Sequence, residues 1–223
     1  MVPVNTTPGT HVLEALNAAS SSARLQAALA VGTRADPAHV DALVARCAIE
    51  PNFFVRDMLT WALTRLPAQI TVSRLCAELR SERAQARSQA LHTLSKIGDV
   101  SAYPAVTRSL RDADDEVARS AWRAAVVLVP DDERDALAAE LASQLGRGGR
   151  DVTMSLSRAL VALGDAIEPV LRTAMASADP AVRAHARATD LLRRDPDAGF
   201  DAAVDEAKRI VALGPEPAAE AGC

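Results

Sequence analysis

Residues 83–113 read RAQARSQALHTLSKIGDVSAYPAVTRSLRDA. Ala86, Ala90, Leu91, Leu94 and Ile97 recur at helical spacing and the run stops at Gly98, which marks one amphipathic helix and its end. A second helix is expected after Asp99, with Ala102, Val106 and Leu110 turned to the same side. A single helix pair of this size cannot bury its apolar face alone, so copies must stack on both sides of it.

The rest of the chain supplies them. An arginine stands near the start of every second helix, at Arg24, Arg56, Arg87, Arg119 and Arg183, with Thr153 in the remaining copy, at intervals of 30 to 34 residues. Three residues after this marker the column reads Ala27, Leu59, Ala90, Trp122, Leu156 and Ala186. Seven after, it reads Val31, Leu63, Leu94, Val126, Leu160 and Asp190. Apolar side chains at these two positions in nearly every copy place one helical face in a shared core, and Asp190 is expected at the exposed end of the stack. The first helices fill the gaps at about 10–18, 38–48, 70–79, 102–111, 133–145, 167–176 and 198–211, many of them opened by proline as at Pro37, Pro67 and Pro130. The expected organisation is a leader over residues 1–9, one array over 10–211 and a tail over 212–223.

Composition narrows the function classes. Hydrophobic residues make up 49% of the chain but aromatics only 3%, a balance that suits close-packed helices better than sheets. The net charge of −4 gives no general attraction to nucleic acid or to an anionic membrane. Only residues 74–123 lean basic, with nine basic against seven acidic side chains. The three cysteines, Cys47, Cys76 and Cys223, have no CxxC spacing, so neither a disulfide framework nor a zinc ribbon is expected. The histidines, His11, His39, His92 and His185, fall in four different copies with no i, i+4 pair, and no metal site or cofactor is expected. Asp112–Glu116 lacks the glycine and glutamate of a calcium loop and reads as a helix cap. The first residues, MVPVNTTPG, carry neither the basic segment nor the apolar core of a signal peptide, and the longest apolar run, Ala124–Val129, is far too short for a membrane span. A cytoplasmic protein is expected. Arginine outnumbers lysine 23 to 2, as expected of a GC-rich bacterial source.

Asp179-Pro180-Ala181-Val182-Arg183-Ala184-His185-Ala186 shows an aspartate and proline before the second helix, then Val-Arg and an alanine-rich face. Phe54-Val55-Arg56 and Asp115-Glu116-Val117-Ala118-Arg119 repeat parts of it. These motifs, over about residues 20–211, resemble HEAT repeats, in the shorter bacterial form called lyase-type. The resemblance implies an all-α, α-α superhelical solenoid of about six helix pairs. It also implies a structural ladder, in which Arg56, Arg87, Arg119 and Arg183 pair with aspartates of adjacent turns such as Asp36, Asp114 or Asp115, and Asp179. The copy with Thr153 lacks that rung and is expected to be the softest junction.

HEAT-like solenoids bind partners along their second helices. There the column five after the marker varies, with Trp61, His92 and Arg158, and it is flanked by Arg65 and Lys96 nine after and by Arg123 and Arg187 four after. These seven residues are the candidate partner-binding face, with a buried Trp61 and solvated charges as the competing reading; Trp122, in an apolar column, reads as core. No local Ser/His/Asp, Cys/His or paired-carboxylate arrangement marks an active site. A non-enzymatic scaffold for a protein partner is therefore expected. The alternative is a DNA-associated module using Arg74, Arg80, Arg83, Arg87, Arg108, Arg111 and Arg123. An enzymatic resemblance, to HEAT-like DNA glycosylases, would call on Trp61, Trp122 and Asp57, against the acidic net charge.

Overall fold

The computed structural model describes residues 8–195, 204–205 and 208–209. The expected tail over 212–223, and most of the expected leader and of the helix expected over 198–211, lie outside them. Among the described residues there are twelve α-helices and no strand. They fall into two compact units, residues 1–129 and 130–223.

The first unit holds four helix pairs. These are α1 (Pro8–Leu16) with α2 (Ser21–Arg34), α3 (Val40–Cys47) with α4 (Phe53–Thr64), α5 (Ala68–Glu78) with α6 (Ala84–Ile97), and α7 (Tyr103–Val106) with α8 (Asp115–Leu128). The second holds α9 (Arg134–Ala142) with α10 (Arg150–Val161), and α11 (Glu168–Met175) with α12 (Pro180–Arg194). Four of these helices, α2, α4, α8 and α12, start on a short polar side chain. Asn52 accepts from the N–H groups of Phe54 and Val55, Asp114 from Glu116 and Val117, and Asp179 from Ala181 ahead of Pro180. Gly98 closes α6 with φ +74° and donates its N–H to Leu94 O, a left-handed cap that glycine makes without a side-chain clash.

The helix expected over 102–111 is broken. A single α-turn, Tyr103–Val106, lies between 3₁₀ turns at Val100–Ala102 and Thr107–Ser109. Pro104 contributes no N–H there, and the carbonyl of Leu110 accepts the indole N–H of the fully buried Trp122 at 2.9 Å.

Burial follows the two apolar columns. Leu59, Ala90, Trp122, Leu156 and Ala186 are buried three after the marker, and Val31, Leu63, Leu94 and Leu160 seven after; Ala27 and Val126 are half-buried. Asp190, expected at an exposed end, is 9% exposed, and Arg193 (3.1 Å) and Arg194 (2.7 Å) pair with its carboxylate. Where α2 meets α4, a β-carbon on Gly32 would run into the Trp61 ring and stand 2.8 Å from Ala62 Cα, so only glycine permits this approach.

The recurrent arginine has a local explanation. Nη1 of Arg24 donates to the carbonyls of Ala18 and Ala19, that of Arg56 to Glu50 and Pro51, that of Arg87 to Ser81, and that of Arg183 to Ser177 and Ala178. Each guanidinium thus satisfies carbonyls just past the end of the preceding first helix, where the helical ladder has run out of donors. Pairing with a carboxylate of the next copy occurs at Arg87, on Asp112, and at Arg24, on Glu50. Asp36, Asp114 and Asp179 instead cap helix starts, and Arg119 holds Glu116 of its own helix at 2.6 Å.

The copy without the arginine is not left bare. Thr153 O accepts from the His185 ring, and His185 Nδ1 accepts from the Gly146 N–H at 3.0 Å. That acceptor role leaves the ring proton on Nε2, which lies 3.1 Å from both Thr153 O and Ser157 Oγ. Thr189 donates to His185 O and so accepts from Ser157 at 2.8 Å. The result is a directed, uncharged chain of bonds joining α10 to α12.

Candidate binding groove

In the first unit the second helices leave one face open. Phe53, Arg56, Asp57 and Thr60 of α4, Ser88, Gln89, His92, Ser95 and Lys96 of α6, and Glu116, Ser120, Arg123 and Val127 of α8 line a groove of about 530 Å³. On each helix these residues recur every three or four positions, the spacing of one helical stripe. Ser88 and Ser120 share a hydrogen bond at 2.9 Å across the floor.

The groove is charged, and its cations are under-used. Lys96 and His92 make no side-chain hydrogen bond, and Arg123 makes one, from Nη2 to Ser120 Oγ at 3.0 Å. Arg56 keeps a nitrogen on two backbone carbonyls while its guanidinium stands 6.0 Å from the centre of the Phe53 ring. Burial and the neighbouring Arg119 hold Arg123 below the usual arginine range, against the pull of Glu116. Burial, Lys96 and Arg123 likewise push His92 down, with Asp57 opposing. The neutral form of His92 is favoured accordingly. Of the two carboxylates, Glu116 is engaged by Arg119, and Asp57 makes no hydrogen bond. The Gln89 amide oxygen is buried without a partner, and its nitrogen is uncommitted. At one end, Phe53 and Phe54 are 66% and 70% exposed and pack edge to face with ring centres 5.6 Å apart.

Of the seven residues expected on a binding face, His92, Lys96 and Arg123 meet in this groove. Trp61 lies partly exposed over Gly32, outside the lining, and Arg65 follows the end of α4 on the surface. Arg158, exposed in the last turn of α10, and Arg187, whose Nε is buried without a partner, belong to the second unit. Phe53, Asp57, Gln89 and Val127 are groove residues that column reasoning passes over. The column five after the marker fails as a guide because Ala124 and Ala188 in it are fully buried.

Among the described residues no three of His, Cys, Asp and Glu come together as a metal site, and no helix is long and apolar enough to cross a membrane. Burial pushes the Cys47 thiol up to about 12, which keeps it protonated, and it raises Cys76 as well.

Helices paired in this way, with α4, α6 and α8 forming an open face, define an α-helical repeat protein. Residues 50–126 match the family model for HEAT repeats, so the helices that build the groove are HEAT repeats. No curated protein matches the chain. Similar solved structures include the complex of CpcE and CpcF of phycocyanin lyase from Nostoc sp. PCC7120, at 18% identity and TM-score 0.47, covering 94% of this chain and 97% of that one. Two engineered proteins are also similar. One is 18% identical with TM-score 0.45, covering 88% of this chain and 96% of its own; the other is 20% identical with TM-score 0.44, covering 92% and 68%.

Proposed function

We propose that the chain is a non-enzymatic HEAT-repeat adaptor that holds a protein partner in the groove of α4, α6 and α8. The observation that carries this reading is the convergence of His92, Lys96 and Arg123, with most of their donors uncommitted, beside the exposed Phe53–Phe54 pair. Exposed aromatics next to charged groups suit a protein interface, where a few ring anchors carry much of the affinity and charge sets orientation. The arginines that would support a nucleic-acid reading are partly engaged elsewhere: Arg74 with Asp41 and Glu78, and Arg87 with Asp112. The test is affinity capture by the full chain from its native lysate, with and without nuclease, beside a His92/Lys96/Arg123 triple-alanine variant. A protein retained in both lysates and lost by the variant is the expected result. Retention only where nucleic acid is intact would sink the reading.

A further inference from the structure

The groove also specifies the chemistry of its occupant. Its uncommitted donors stand on two of its three walls: the Lys96 ammonium and Gln89 amide nitrogen on α6, and the Arg123 guanidinium on α8. Facing them is the one uncommitted carboxylate of the lining, Asp57 of α4, while the buried Gln89 amide oxygen lacks a donor and suits a main-chain N–H. Arg123 is opposed by the like charge of Arg119, and Lys96 and Arg123 both act on His92, so an anion placed among these cations is favoured. The anion is not a nucleic-acid backbone, because Asp57 and Glu116 interrupt any continuous basic track and would face successive phosphates. An extended peptide meets both signs: its carboxylates reach Lys96 and Arg123, its main-chain N–H groups reach Asp57, and an apolar side chain lies against Phe53 or the 57%-exposed Val127.

We propose, resting on the protein-partner reading above, that the groove recognises an extended segment rich in aspartate and glutamate, with Lys96 and Arg123 as its carboxylate anchors. A carboxylate placed there also reverses the surroundings of His92. Burial first, then Lys96 on its own helix and Arg123 from α8, disfavour its proton in the free protein, while Asp57 from α4 favours it. With the two cations neutralised, His92 takes up a proton more readily, so binding raises its pKa and tightens as pH falls through the histidine range.

The full chain is panned against a displayed library of random dodecapeptides, with a Lys96→Gln/Arg123→Gln variant as counter-target. The selected peptides are then synthesised with their acids intact and as asparagine/glutamine forms. Expected are sequences with several carboxylates that lose roughly tenfold or more in affinity, both as amide forms and on the double variant. Their binding should move the His92 ring-proton titration, followed by NMR, to higher pH. Peptides without carboxylates that bind wild type and double variant equally, yet are lost on Phe53→Ala, would overturn the acidic-segment inference and leave the groove reading standing. Peptides indifferent to Phe53, Lys96 and Arg123 alike, or no selected peptide at all, would overturn both. A single-stranded dodecanucleotide that outcompetes the acidic peptides would overturn both in favour of nucleic acid.

Discussion

Carboxylates tie adjacent repeats at Glu50 and Asp112 in residues 1–129, whereas in residues 130–223 a network of neutral groups joins α10 to α12. In the first unit Glu50, 0% exposed in the loop between α3 and α4, takes Arg24 of α2 through two bonds of 2.7 and 2.8 Å. It also takes Arg46 of α3 at 2.8 Å and the Asn52 N–H at 2.9 Å. In the second unit the corresponding task falls to Gly146, His185, Ser157 and Thr189, with no net charge among them. A buried charge is held only by its partners, whereas a neutral chain loses one bond at a time. The two units should therefore fail differently.

The largest difference is expected from Glu50→Gln. The amide cannot neutralise Arg24 and Arg46, so two buried or nearly buried guanidinium groups are left without their anion. The expected loss is about 3–5 kcal/mol from the first unit. Both tryptophans, Trp61 and Trp122, lie in residues 1–129, so their fluorescence reports that unit alone, while far-ultraviolet circular dichroism reports helices of both. In urea the fluorescence midpoint should fall well below wild type. An unchanged midpoint would show that the hub adds nothing to stability.

Acid should separate the units next. Burial raises the Glu50 carboxyl, but hydrogen bonds from Arg24, the Asn52 N–H and Arg46 outweigh it and bring the carboxyl down to about 2. Burial lowers the His185 imidazole to about 4, against the Thr153 carbonyl, and a proton on Nδ1 would face the Gly146 N–H. Both are depressed pKa values, so both contributions are complete above the unfolded-state values and vanish as pH falls through the folded ones. For His185 the window runs from about 6.5 down to about 4, and for Glu50 from about 4.5 down to about 2, with about 3 kcal/mol in each. Between pH 6.5 and 4.5 stability should therefore drain from the second unit first. Urea titrations by circular dichroism across this range should show it without a matching change in tryptophan fluorescence. His185→Gln should remove most of that pH dependence.

How much of this could be read from the sequence differs by kind of interaction. The repeat was legible because its cause is local and periodic. Arg24, Arg56 and Arg183 meet carbonyls five and six residues before themselves and Arg87 the one six before, and the apolar columns follow helical geometry. The hubs were not. Glu50 sits in a loop outside any column, and its partner Arg24 is 26 residues away. His185 is met by a glycine N–H 39 residues distant, and nothing in either local sequence announces the pairing. The groove was half legible. Positions four and five after the marker lie at the edge of the buried stripe, so a small rotation of one helix exchanges them. Arg123 faces the groove at four in α8, where Ala124 is buried, while His92 faces it at five in α6, where Leu91 is buried.

The smallest effect tests a recurrence that both units share. A hydroxyl four after the marker meets one six after the marker in the next copy: Thr60 with Thr93 at 3.5 Å, and Ser157 with Thr189 at 2.8 Å. The first distance is at the limit for such a bond, and Thr93 already donates to Gln89 O at 2.8 Å. The second is short, buried and part of the His185 chain. Thr93→Val should cost about 0.5 kcal/mol or less, because little hydrogen bonding is lost for a well-matched shape. Thr189→Val leaves Ser157 without its acceptor and should cost about 1–3 kcal/mol. Tryptophan fluorescence for the first variant and circular dichroism for the second, both in urea, decide the comparison. Equal losses would mean that the rung is one interaction in both units and that its length is immaterial; a larger loss at Thr189 alone would tie its strength to the neutral network around His185.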